Sequence, residues 1–182
     1  MARSGLSDNR ILLRQMTEVG TADYTVAGIA YWSDIQLDEI LDRYRTDLVF
    51  FELTPNPSYA NGDTLYLEYR SGYADMESTT GGTSVFYVQD SAGNTQGTAL
   101  YTPDYARGIV TFAADTGGTT YFLTARSYDL RGAASEVWLR KSGFSGFSVE
   151  YQNHCLKMAE VFRAGAKIST VTIDMRRDDT DG

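Results

Sequence analysis

The period of the apolar positions changes several times along the chain. From Asp8 to Glu18, Leu12, Met16 and Val19 recur at helical spacing opposite Arg10, Arg14 and Gln15, which predicts a short amphipathic helix ended by Gly20 and Thr21. Tyr24 to Tyr31 alternates weakly and reads as an extended connection or, at most, a short strand. Trp32 then precedes Ser33-Asp34-Ile35-Gln36, where a Ser hydroxyl and a Gln amide stand three residues apart and can each satisfy the other's free backbone donor. The helix predicted from there puts Ile40, Leu41, Tyr44 and Leu48 on one face and leaves Asp38, Glu39, Asp42, Arg43 and Arg45 in water. Pro55 and Pro57 close the helical region, because a residue preceding proline is pushed out of the α conformation.

Period two follows. Leu65–Arg70, Val85–Gln89, Ile109–Ala113 and Thr120–Arg126 alternate and are rich in aromatic or β-branched residues. Between them stand Thr80-Gly81-Gly82, Asp90–Asn94, Asp104–Gly108 and Asp115–Gly118, each with residues that tolerate the positive φ of tight turns. The pattern predicts an antiparallel meander or half of a small sandwich.

Helical spacing returns at Tyr128-Asp129-Leu130. Leu130, Ala133, Ala134, Val137 and Trp138 share one face, and Asp129 is placed to cap it. After Gly143 and Gly146, Tyr151, Cys155, Met158, Ala159 and Phe162 make a second stripe that Gly165 closes. Lys167 to Met175 alternates again, and the end from Arg176 is polar and charged. The expected fold class is α+β: a small helical bundle drawn from both chain ends, an inserted antiparallel β domain and an extended C-terminal arm. The expected divisions are 1–61 and 129–166 for the helices, 62–128 for the β domain and 167–182 for the arm and acidic tail.

Composition narrows the function classes. The chain has 182 residues, one cysteine and one histidine, with Lys+Arg 16 against Asp+Glu 24 and a formal net charge of -8. One domain, or one with an elaboration, is expected. No internal disulfide can form, and a single thiol suits a reducing compartment. An excess of carboxylates opposes gripping nucleic acid, which needs clustered cations. No window approaches ~18 uninterrupted apolar residues and no targeting segment stands at the N-terminus, so a soluble protein is expected.

Reactive groups are sparse. A catalytic triad would have to use His154, but its neighbour Cys155 points about 100° away on a helix and lies on the apolar stripe. Gly143-Phe144-Ser145-Gly146-Phe147 lacks the G-x-S-x-G spacing of a nucleophile elbow and joins two helices. Asp178-Asp179-Thr180-Asp181-Gly182 resembles the opening of a calcium loop without its closing Glu. Asp75 and Glu77 could form a carboxylate pair, although acids are common in an acidic, turn-rich segment. No catalytic residue, metal ligand or cofactor is expected, and no membrane contact. A binding or assembly role fits better, because Tyr 13, Trp 2 and Phe 8 exceed what one small core usually takes.

Tyr31-Trp32-Ser33-Asp34 opening Leu37-Asp38-Glu39-Ile40-Leu41-Asp42-Arg43-Tyr44-Arg45, and downstream Tyr128-Asp129-Leu130-Arg131-Gly132-Ala133-Ala134-Ser135-Glu136-Val137-Trp138, resemble the head–tail connector (adaptor, or head-completion) proteins of tailed bacteriophages. The resemblance covers the helical half of the chain; the β-rich stretch departs from the smaller, purely helical members. It implies a structural virion protein, made in the bacterial host cytoplasm and assembled in the virion neck between capsid and tail. There it would form a homo-oligomeric ring, typically a dodecamer, beneath the portal and above a further tail or neck protein. Duplex DNA would pass through transiently without tight binding. Family members commonly send a C-terminal arm into the portal; here the matching residues are Lys167, Ile168, Val171, Ile173 and Met175. Strand addition to a neighbour would satisfy that segment's backbone, as would return to the subunit's own sheet. Trp32, Phe144, Phe147 and Tyr151 are candidates for the subunit interface or, equally, for core.

A second class is a β-sandwich recognition module, carbohydrate-binding or fibre-associated, with Tyr66, Tyr69, Tyr87 and Tyr121 as a stacking platform. Alternation divides those rings between two faces, which weighs against it.

Overall fold

The structure is a computed structural model that describes residues 2–20, 24–26, 29–60, 62–79 and 85–166. The arm and tail expected over 167–182, and the turn over 80–82, lie outside the described residues. Within them the chain is α+β, with helices α1 (Ser7–Thr17), α2 (Asp34–Arg43), α3 (Leu130–Ser142) and α4 (Val149–Ala164). The strands are β1 (Tyr24–Val26), β2 (Ile29–Tyr31), β3 (Arg45–Glu52), β4 (Thr54–Ala60), β5 (Asp63–Arg70), β6 (Tyr87–Gln89), β7 (Tyr101–Asp104), β8 (Ile109–Phe112) and β9 (Phe122–Tyr128). All pairings are antiparallel: a β1–β2 pair, a three-stranded sheet β3-β9-β6 and a four-stranded sheet β4-β5-β8-β7.

The caps read from sequence are present. Ser33 and Gln36 form the reciprocal box at the start of α2. Asp129 accepts hydrogen bonds from the amides of Arg131 and Gly132 at the start of α3. The α3 face is buried as expected, and α4 buries Cys155 and Ala159 with Tyr151, Met158 and Phe162 half-covered beside them.

Three readings need correction. The α2 helix stops at Arg43 instead of running to Leu48, and Arg45–Glu52 is a strand on β9. Thr46, Leu48 and Phe51 favour extended backbone, and they pair with Ser127, Ala125 and Leu123 of β9. The sheets therefore begin at Arg45, ahead of Gly62, and include the proline segment as β4. There β4 is an edge strand exposed along its length, so Pro55 and Pro57 cost no ladder bond on the open side. Finally, α1 buries Asn9, Arg10, Leu13 and Thr17 and ends at Thr17 on a left-handed Glu18; of the expected stripe, Val19 is buried and Met16 half-buried. Leu12 is exposed, and Asp38, expected in water, is buried against Arg10.

Two main apolar cores result. One joins Leu6, Leu13, Trp32, Leu37, Ile40 and Leu41 to Leu130, Ala133, Ala134 and Val137, so helices from both chain ends pack together, with Tyr128 at its margin. The other lies between the two larger sheets and joins Leu48, Tyr69, Val88, Tyr101, Val110, Phe112, Leu123 and Ala125. Gly132 shows how closely these elements meet. A Cβ there would stand 2.6 Å from the Tyr44 ring, so a residue that costs a helix interior about 1 kcal/mol is needed for α2 and α3 to approach.

Candidate interaction surfaces

Helices α3 and α4 pack side by side, fastened by the Ser135 hydroxyl donating to the Ala159 carbonyl at 2.8 Å. Because Gly132, Ser135 and Ala159 are small, the seam is open on one side as a groove of about 500 Å³. Leu139 and Leu156 line it and are 54% and 43% exposed, and Ala166, the last described residue, stands at its end. Its acidic wall is Glu136, held by Arg43 and Arg140 at 2.7 and 2.6 Å. Burial pushes the Glu136 carboxyl up, but the hydrogen bond from Arg43 and the Arg140 charge leave it net below its ordinary value, so it stays ionised at neutral pH. The groove offers apolar contact with a fixed charge at its rim.

The turn between these helices carries an aromatic ladder. Phe144 meets Phe147 edge-on at 4.9 Å, and Phe147 meets Tyr151 at 4.8 Å. Gln152 donates to the carbonyls of Phe144 and Phe147, which holds the turn in place. All three rings are half-buried, so each keeps an outward face. Trp32 differs: it is fully enclosed in the helical core and takes the core alternative. The arm residues Lys167, Ile168, Val171, Ile173 and Met175 lie outside the described residues.

A third surface has no signal in the alternation pattern. The β3 strand is shifted in register between Leu48 and Phe51, and Phe50 within the shift has φ 50°. Positive φ is rare for a bulky residue and marks a bulge that aims side chains outward. Val49 is 76% exposed there, and the Phe50 ring stacks on Phe122 at 4.1 Å.

The residues considered for chemistry are placed as follows. His154 is exposed, edge-on to Trp138 and stacked beside Tyr151. Cys155 is a free buried thiol whose pKa burial pushes up, which disfavours thiolate. Glu77 is buried and accepts the Tyr128 hydroxyl at 2.6 Å. Burial and the Glu77 carboxylate both push the Tyr128 phenol well above its ordinary value, so it remains a donor. Of the tyrosines weighed as a platform, Tyr69 is fully buried with Tyr121 packed edge-on to it, while Tyr66 lies over Gly118. No group of three metal-ligating side chains occurs among the described residues, and none of their helices is long and apolar enough to cross a membrane.

Among the described residues most arginines are paired with carboxylates. Arg3, Arg10, Arg14, Arg43, Arg45, Arg70, Arg107, Arg126 and Arg140 each lie within 4.0 Å of a carboxylate. Lys141 is buried, donating to the Thr17 carbonyl over the Trp138 ring. No family model, curated protein or solved structure matches this chain.

Proposed function

We propose that this chain is a structural assembly protein of the head–tail connector type. Its subunits form a homo-oligomeric ring between a capsid portal and a tail or neck protein, with a channel for duplex DNA. The observation that carries the reading is the helical core. Elements from both chain ends, α1 and α2 with α3, bury one another, and the strands from Arg45 to Tyr128 leave and re-enter that body. The resemblance of the residues opening α2 and α3 to connector proteins concerns the same body.

Electrostatics supports a duct that does not hold its cargo. With a net charge of -8, and with most arginines among the described residues paired to carboxylates, the chain is poorly suited to replace counterions on DNA, so the duplex meets little drag. The aromatic ladder of Phe144, Phe147 and Tyr151 and the open α3–α4 groove supply apolar area for a head-to-tail contact of the kind that closes a ring. In this reading Lys167–Met175 is the portal-binding arm, and the β body elaborates the ring.

The test is negative-stain imaging of the full chain with and without purified portal protein, beside a chain ending at Ala166. Rings on the portal with the full chain, absent with the shortened one, are expected. Failure of the full chain to bind any portal, or tight duplex binding at ~0.1 M salt in a mobility assay, overturns the duct reading.

A further inference from the structure

Between the helical core and the sheet core lies a polar junction. Six charged side chains there close on themselves in alternating order. Arg3 Nη2 lies 2.6 Å from Asp42 Oδ1, and Arg45 Nη1 is 3.5 Å from the same oxygen. Arg45 Nε lies 2.9 Å from Asp47 Oδ1, which Arg126 Nε approaches at 3.8 Å. Arg126 Nη1 and Arg3 Nη1 both stand 3.5 Å from Glu77 Oε2, which completes the cycle. Three guanidinium groups and three carboxylates thus make a ring without net charge.

Its members come from both bodies. Arg3 enters α1 through the 3-10 turn Ser4–Leu6, and Asp42 lies in the last turn of α2. Arg45 and Asp47 are on β3, Arg126 is on β9, and Glu77 is in the β5–β6 connection. Other contacts cross here too: the amide and hydroxyl of Ser78 both donate to the Gly5 carbonyl, the Asn9 amide group donates to the Asp75 carbonyl, and Tyr128 of β9 is buried in the helical core. A Cβ at Gly5 would stand 2.4 Å from the Ser78 carbonyl oxygen, so this approach requires glycine.

We propose that this ring is an ionic latch: closed, it couples the helical and β bodies; opened, it lets them shift against each other while each keeps its own core. Contacts between bodies of one chain that rest on paired charge are where such bodies move against each other. The latch is also graded. The side chains of Asp42 and Asp47 are 42% and 50% exposed, so salt reaches their pairs, whereas Glu77 is 5% exposed and keeps Arg3, Arg126 and Tyr128 at higher ionic strength. Opening therefore starts at the exposed arc. The inference does not depend on the connector reading.

Hydrogen exchange on the full chain tests it, comparing wild type with Asp42→Asn/Asp47→Asn at low salt and at ~1 M NaCl. In wild type, high salt is expected to speed exchange of the Ser78 amide, which bonds across the junction, by about tenfold and leave the centres of α3 and β9 and the Glu77 amide, bonded to Arg126 within the β body, protected. The variant is expected to be fast at low salt already and nearly indifferent to added salt. Two results overturn the latch: a Ser78 amide that does not respond to salt or substitution, or Ser78 and core amides that loosen together.

Discussion

Replacing Trp138 with Ala is expected to lower the stability of the chain by about 3–5 kcal/mol, the range for emptying a buried aromatic site. The ring is fully enclosed and does three things. It fills the space between α3 and α4 beside Cys155 and Ala159. Its Nε1 donates to the Met16 carbonyl at 3.1 Å, close to where α1 ends. Its face lies 4.4 Å from the Lys141 ammonium, which is itself buried and donates to the Thr17 carbonyl. Loss of the ring leaves a cavity, an unsatisfied carbonyl and a buried cation with a poorer environment. Phe at this position restores most of the apolar volume but not the bond to Met16, so a smaller loss of about 1–2 kcal/mol is expected. Urea denaturation with linear extrapolation measures both; similar midpoints for Trp138→Ala and wild type would contradict this account.

Asp38→Ala is expected to cost about 3–5 kcal/mol, because it strands a guanidinium inside the protein. Arg10 Nη1 lies 2.8 Å from Asp38 Oδ1, with side-chain exposures of 10% and 9%. The other Asp38 oxygen accepts the Arg3 amide, and Arg10 also donates to the Arg3 carbonyl, so one pair fixes the chain entering α1. Asp34, 3.8 Å from Arg10 Nε and half-exposed, recovers part of the lost attraction and places the effect at the lower end. Arg10→Met with Asp38→Leu is expected to restore part of the stability, since it leaves no orphaned charge but does remove the partners of the Arg3 amide and carbonyl. A double-mutant cycle in urea reads the coupling; additive single effects would mean the pair is not a unit.

This pair also shows where the sequence pattern stops being informative. Hydropathy favours a stripe through Leu12, Met16 and Val19, of which Val19 is buried and Met16 half-buried while Leu12 itself is exposed. The buried face is instead the one that brings Arg10 to Asp38, and the two carboxylate oxygens of Asp38 make that burial possible. A cation on a helix is assigned to solvent unless its counter-ion is known, and that counter-ion stands 28 residues away. The latch is hidden more deeply, because Asp42, Arg45 and Asp47 stand close in sequence but Arg3, Glu77 and Arg126 lie far from them and from one another. The candidate surfaces divide in the same way. Phe144, Phe147 and Tyr151 are close in sequence and can be proposed from it. The α3–α4 groove and the exposed Val49–Phe50 bulge arise from how neighbours pack.

What is local in origin was therefore legible. The capping box at Ser33, the Asp129 cap, the stripes of α3 and α4 and the alternating runs of β5, β8 and β9 depend on residues within one or two turns or along one strand. The α+β class follows from their order. Folding in three dimensions settled the rest. It chose strand over helix for Arg45–Glu52 because β9 supplies the ladder, and placed the Pro55–Pro57 segment on an edge where missing donors do no harm. It also buried Arg10 because Asp38 meets it. Each choice turns on a partner distant in sequence, and backbone hydrogen bonding and charge burial are favourable only when that partner is present.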